Sequence, residues 1–389
     1  VDRVRQRRGR SDRAIRNDER LWAAVTDAII ERGIDRVVAR DVVQRCGLTT
    51  GALYGRYDSM DDLFADVWLN RAGPAFRDLV TLAARIGAGE LTPVDPDGLG
   101  RQSADLRAAG ELCILAGRVG ELADVVPRDV RAWLVEAGID RDARAAGVLG
   151  LLLGTVLYAP VDDAFWREAP LLLRWLDVGR DATWSGPPPE PVPPVPIDFG
   201  DGDGDEGRAL LLRAATQVAA RSGVQHATLK RIGRVAGHVP SAVYHRYANR
   251  EELFTDLVVA SSRFAIEPNE ELSVTFASPD NMASRLCGWM QPQSRTRRRI
   301  TIECCLAIAH FPELADAVVR VCDASDAELA GRFSPPGTAL HESLCALFRA
   351  ARNTVYGLCL LEETSGLFAP MDWRPFVHPV TTGMLLGEG

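Results

Sequence analysis

Lysine is almost absent. Of 45 basic residues, Lys230 is the one lysine, a bias that reflects a GC-rich genome more than a mechanism. Long apolar runs are missing too. The longest candidate, around Val148 to Ala159, falls short of the roughly 18 residues a membrane helix needs and contains glycine, so a buried helix is expected there. The arginine-rich first residues carry no apolar segment of the kind a secretory leader has. The eight cysteines show no Cys-x-x-Cys pairing and no framework spacing. Reduced thiols in apolar cores are therefore expected, with the cytoplasm as compartment. Cys304, Cys305, Cys322 and Cys345, with His310 and His341, lack a dependable ligand spacing, so no metal or cofactor is expected. No Ser-His-Asp arrangement, nucleophile elbow, P-loop or Rossmann glycine pattern occurs, and the six histidines assemble no triad. An enzyme is not expected.

The chain has 389 residues, 47% of them hydrophobic and 25% charged, which suits a globular protein of two or three domains. The net charge of −8 taken alone argues against a nucleic-acid partner. The distribution argues for one. Residues 1–20 hold eight arginines and four acids; residues 208–250 hold seven arginines and Lys230 with no acid at all. Two basic patches on an acidic chain are an electrostatic footprint for DNA.

The sequence also repeats itself. "GALYGRYDSMDDLF" at Gly51–Phe64 returns as "SAVYHRYANREELF" at Ser241–Phe254. Gly33/Gly223, Gly47/Gly237, Tyr54/Tyr244, Arg56/Arg246, Leu63/Leu253 and Asp66/Asp256 are all 190 apart. The match then continues more weakly at an offset of 192, where Arg107, Glu111 and Cys113 fall on Arg299, Glu303 and Cys305. Whole halves are duplicated. Between them lies "GPPPEPVPPVPIDFGDGDGDEG" (Gly186–Gly207). Its prolines favour an extended polyproline conformation and its Gly/Asp part is flexible, so a solvated linker is expected. The Asp-Gly alternation lacks the terminal bidentate acid of a calcium loop.

Within each copy the period is helical. Leu21, Val25, Ala28 and Ile29 form one apolar stripe; Leu211, Ala215, Val218 and Ala219 form its counterpart. Gly33 and Gly223 stop that helix. A short helix follows (about 40–46 and 230–236), with Thr228 as a cap in the second copy. Gly47 and Gly237 stand where a tight turn wants positive φ. A second short helix carries Tyr-x-Arg-Tyr, and a longer one starts near Asp61 and Glu251, whose acids suit a helix N-terminus. This helix-turn-helix layout places its second helix in a DNA major groove.

At "CGLTTGALYGRYDSMDDLF" and "AGHVPSAVYHRYANREELF" the sequence resembles the TetR family of bacterial repressors, as two members fused end to end. The resemblance implies an all-α fold: two helix-turn-helix domains, each followed by a helical ligand-binding domain. The expected division is a basic arm (1–16), a first helix-turn-helix domain (17–66) and its helical domain (67–185). The linker (186–207), a second helix-turn-helix domain (208–256) and its helical domain (257–389) follow. Family members dimerise through their last two helices, so the apolar stretches near Arg144–Ala159 and Leu340–Leu361 are expected to pair within one chain as a pseudo-dimer, with further dimerisation left open.

The resemblance implies DNA contacts from Arg40, Thr49, Thr50, Gly51, Tyr54 and Arg56 in the first copy. In the second copy it implies them from Lys230, Pro240, Ser241, Tyr244, His245, Arg246 and Arg250. Small residues there admit the duplex backbone, and a threonine methyl packs on a thymine methyl. The sequence departs from the family where a lysine usually precedes the acidic pair: Met60 stands there in the first copy and Arg250 in the second. The basic arm is expected to compensate along the phosphates or minor groove. "RTRRR" (Arg295–Arg299) reads as the exposed start of a helix, with binding of an anionic ligand as the weaker alternative. The expected partners are an operator in double-stranded DNA and a mostly apolar small molecule, with no membrane. The main expectation is a ligand-responsive repressor of an asymmetric operator. The rival is a small-molecule sensor or partner-binding module with one degenerate DNA-binding unit, for residues 21–60 hold five arginines against five acids.

Overall fold

The computed structural model describes residues 12–90, 96–118, 120–158, 164–194, 199, 205–237, 240–266, 276 and 278–387. Among these residues there is no β-strand, and no helix is long and apolar enough to cross a membrane. The first half opens with α1 (Asp12–Arg32), α2 (Ala39–Cys46), α3 (Thr50–Tyr54) and α4 (Met60–Val67). The basic arm expected at 1–16 therefore ends inside α1; residues 1–11 lie outside the described residues. One π-helical turn, Trp68–Ala72, joins α4 to α5 (Gly73–Gly87). Then come α6 (Pro96–Ala116), α7 (Gly120–Glu136), α8 (Ala143–Tyr158) and α9 (Ala164–Val178).

The second half repeats the order. Its opening helices are α10 (Glu206–Ser222), α11 (Leu229–Val235), α12 (Pro240–Arg246) and α13 (Arg250–Ile266). Its body comprises α14 (Pro279–Met290), α15 (Arg295–Ile308), α16 (Pro312–Gly331), α17 (Ala339–Ser365) and α18 (Arg374–Leu386). In both halves the opening helix rests on the body in the same way: α1 packs on α6, and α10 packs on α15.

The stripes read from the periodicity are the cores of the small domains. Leu21, Val25, Ala28 and Ile29 have no exposed surface, and neither do Ala215 and Ala219. Each large apolar side chain so buried contributes roughly 1.5–3 kcal/mol. In the first body, Trp68 stacks on Trp133 at 5.8 Å while Phe76 lies 6.1 Å from Trp68. All eight cysteines are free thiols, and Cys305, Cys322 and Cys359 are buried.

The halves meet through α8 against α17 and α9 against α18, a four-helix contact within one chain. Glycine makes it close. A Cβ at Gly154 would overlap the Asn353 carbonyl, and one at Gly357 would overlap the Gly150 carbonyl. The second crossing is built alike, with Gly179 against the Pro379 carbonyl and Gly383 against the Trp175 carbonyl. The described part of the linker is largely exposed, but it is tethered to the second half. Val192 N–H donates to the Ser284 carbonyl at 3.1 Å, and Arg285 donates to the Pro193 carbonyl at 2.6 Å. Arg374 reaches the carbonyls of Gly186 and Pro187 at 3.0 and 2.9 Å. Proline offers no N–H, so its segment is held mainly by its carbonyls.

Candidate nucleic-acid interface

The short helix after each glycine turn is anchored by a buried side chain. In α3 that anchor is Leu53, 1% exposed; in α12 it is Val243, with no exposed surface. Gly47 (φ 69°) and Gly237 (φ 74°) make the preceding turn in the left-handed region, where a Cβ would add strain. Thr49 caps α3: its hydroxyl accepts from Ala52 N–H at 3.1 Å. Thr228 caps α11 through Arg231 N–H at 3.3 Å. Such caps contribute about 1 kcal/mol each.

The two tyrosines of Tyr-x-Arg-Tyr divide their work. The first points out: Tyr54 is 49% exposed and Tyr244 56%. The second points in. Tyr57 Oη donates to Asp66 at 2.6 Å, and Tyr247 Oη donates to Asp256 at 2.6 Å. Burial first, and then the carboxylate beside it, raise the ionisation of both phenols far above the ordinary range. The accepting aspartates have different second donors. Trp22 Nε1 donates to Asp66 at 2.9 Å, whereas Arg208 grips Asp256 with two nitrogens at 2.8 and 2.6 Å.

The next helix is capped in both copies by a reciprocal pair. Ser59 Oγ accepts from Asp62 N–H while Asp62 accepts from Asp58 N–H, at 3.1 and 3.0 Å. Asn249 accepts from Glu252 N–H while Glu252 accepts from Ala248 N–H, both at 2.7 Å.

The residues singled out from sequence do not all face the same way. Arg40, Thr49, Thr50, Gly51, Tyr54, Lys230, Tyr244 and His245 are exposed. Arg56 and Arg246 are exposed but engaged: Arg56 donates to Asp18 at 2.9 Å, and Arg246 pairs with Asp205. That contact, then the cap bond from Arg208 N–H, holds the Asp205 carboxyl below its ordinary value. Arg250 turns inward, donating to the Gln225 carbonyl at 2.8 Å with its guanidinium 5.6 Å from the Phe311 ring. Met60 is half-buried at the start of α4. Pro240 opens α12; its side chain and that of Ser241 lie outside the described residues.

Two short helices at a glycine turn, each with one exposed tyrosine, give two similar but unequal faces. The family model "Bacterial regulatory proteins, tetR family" matches the chain twice, at residues 23–67 and 211–257. The chain carries two tandem TetR-like units. Among solved structures, it is similar to the crystal structure of NalD, the secondary repressor of the MexAB-OprM multidrug efflux pump in Pseudomonas aeruginosa. Identity is 21% over 48% of this chain and 97% of that one, with a TM-score of 0.30, too low to carry an argument. A search of curated proteins found no match.

The two TetR-like units are also tied to the bodies through groups that sequence reasoning missed. Ile34 N–H, at the first turn after α1, donates to Glu111 of α6 at 2.6 Å. Val224 N–H, its counterpart, donates to Glu303 of α15 at 3.3 Å. Each glutamate is held from the other half: Glu111 by His310 Nε2 at 2.7 Å, and Glu303 by Arg118. Arg118 also donates to Asp35 at 3.0 Å; burial lowers its guanidinium and Asp35 partly offsets this. The 192-residue offset that paired Glu111 with Glu303 also pairs Arg118 with His310. It was the available signal, but a cation and a histidine do not register as a match. Among the described residues, no group of His, Cys, Asp and Glu could hold a metal ion.

Proposed function

We propose that the protein is a cytoplasmic, ligand-responsive transcriptional repressor that reads an asymmetric operator with two different recognition helices. One observation carries the reading. The exposed faces of α3 and α12 hang on two halves locked together at the glycine crossings, and they differ in sequence: "TTGALYGR" against "VPSAVYHR". A homodimer presents one helix twice and reads a palindrome; this chain presents two helices once each. Arg40 and Lys230, exposed at the supporting helices, supply phosphate contacts. Thr49, Thr50, Gly51, Tyr54 and Arg56 face one half-site; Pro240, Ser241, Tyr244, His245 and Arg246 face the other. Arg56 and Arg246 exchange their aspartates for phosphates on docking. Arg250, turned toward Phe311, positions the second unit and contributes less to direct contact than its place in the motif implies.

The effector binds in a helical body and acts by favouring a state that DNA does not. A coupling of about 1–3 kcal/mol suffices for induction. The test is a gel-shift titration against upstream DNA of the protein's own locus, at low and moderate salt. Specific binding that weakens steeply with salt supports the reading, since several phosphates are neutralised. No preference over random DNA at either salt contradicts it and favours the sensor alternative.

A further inference from the structure

The arginine run at the start of α15 is not the exposed segment that its composition suggests. Arg298 is 3% exposed and donates to Glu363 at 2.9 Å and to the carbonyls of Trp289 and Gln291 at 2.7 Å. Arg295 and Arg299 pair with the same Glu363. Arg297 takes the opposite direction. Its Nε and Nη1 are buried and have no hydrogen-bond partner among the described residues. What surrounds it is aromatic ring and thiol. The guanidinium lies 5.8 Å from the Trp289 ring of α14, and Cys304, Tyr356 and Cys359 stand within electrostatic reach. Burial pushes the Arg297 guanidinium down to about 10; at neutral pH it stays charged.

A comparison of the two halves points to a ligand. Arg297, Cys304 and Tyr356, on α15 and α17, each keep some accessible surface. The equivalent position in the first half, 192 residues earlier, is Asp105, and there the charge is answered: Arg71 donates to it at 2.6 Å. The duplication thus left an ion pair at this position in one half and, in the other, a guanidinium that faces the Trp289 ring with two buried N–H groups lacking a hydrogen-bond partner among the described residues. Buried N–H donors without a partner are costly to keep.

We propose that Arg297 is the anion-binding group of an effector site in the second half, and that the effector is an organic monocarboxylate with an apolar body. This rests on the ligand-responsive reading above and narrows its mostly apolar effector to an amphipathic acid. The guanidinium takes the carboxylate through two parallel N–H donors. The Trp289 and Tyr356 rings take the apolar body. Tyr356 stacks on Tyr158 of α8 at 5.5 Å, so an occupant touches the contact between halves. No bond is made or broken.

The probes are octanoate and benzoate, with 1-octanol, benzyl alcohol and octylamine as controls, titrated by calorimetry and thermal shift on the full chain. The acids bind and raise the melting temperature; the alcohols and the amine do neither to a comparable degree. Arg297→Met weakens the acids roughly ten- to hundredfold, while the unliganded variant melts higher than the parent because two buried, unpaired N–H donors are gone. Arg297→Lys keeps the charge, loses the fork and falls between. Acids that bind Arg297→Met as tightly as the parent overturn the proposal, as do alcohols binding as tightly as acids or the absence of acid binding. A parallel gel shift separates this failure from that of the wider reading. Acids that bind through Arg297 without loosening DNA uphold the site and refute ligand response. Release of DNA by the alcohols, unaffected by Arg297→Met, upholds ligand response and refutes the site.

Discussion

The outward and inward tyrosines of the second unit should separate DNA binding from folding. Tyr244 is 56% exposed on α12, so Tyr244→Ala should cost the fold within about 0.5 kcal/mol. As a base or phosphate contact it should cost DNA affinity roughly 1–3 kcal/mol, a loss of about 5- to 150-fold. Tyr247, three residues on, should behave in reverse. It is 4% exposed and donates to Asp256 at 2.6 Å. Tyr247→Phe removes a hydrogen bond to a charged acceptor, about 1.5–3 kcal/mol. The loss should sit at the low end, because Arg208 still holds Asp256 with two nitrogens. Tyr247→Ala also empties a core site and should cost about 3–5 kcal/mol. Urea melts followed by circular dichroism give the folding terms; fluorescence anisotropy with labelled operator gives the binding terms. The reasoning is refuted if Tyr244→Ala unfolds the domain, or if it leaves DNA affinity unchanged.

At the contact between halves, Gly154→Ala drives a Cβ into the Asn353 carbonyl and should cost about 1–3 kcal/mol by overpacking. Because the contact is intramolecular, that loss should not depend on protein concentration in a denaturant titration. Asp205→Asn should lower the melting temperature of the second unit near neutral pH and less in acid. The Asp205 carboxyl is held below its ordinary value by Arg246 and by the Arg208 N–H. Its contribution is therefore present above the usual aspartate range, near pH 4, and is lost as pH falls through its folded value. Paired scans at pH 7 and pH 3 test this.

Local features were legible in the sequence because local physics decides them. Gly47 and Gly237 stand at left-handed turns, Thr228 caps its helix, and the Leu21–Ile29 stripe is buried, each within a few residues of its cause. The apolar stretch at Val148 is the helix α8 because its period and length left no polar face to solvate. What escaped was non-local. Arg298 reads as a surface residue until Glu363, 65 positions later, draws it inward. The proline linker is exposed, but its tethers to α14 and Arg374 had no local signal. Asp18 and Asp205 occupy the two motif arginines from different registers, so the duplication did not betray them. The arginine run at 295–299 concealed which of its members lacks an acidic partner among the described residues, because only the fold separates Arg297 from its paired neighbours.

The central claim is that two unequal reading heads, locked in one chain, read one site together. Footprinting and affinity measurement on the native operator, on the same operator with one half-site inverted, and on two palindromes built from either half-site test it directly. One chain should protect both half-sites of the native operator. The inverted operator and both palindromes should bind more weakly, with the palindrome of the second half-site the better of the two, because residues 208–250 hold eight basic residues and no acid. A palindrome bound as tightly as the native operator, or protection of a single half-site, would contradict the account.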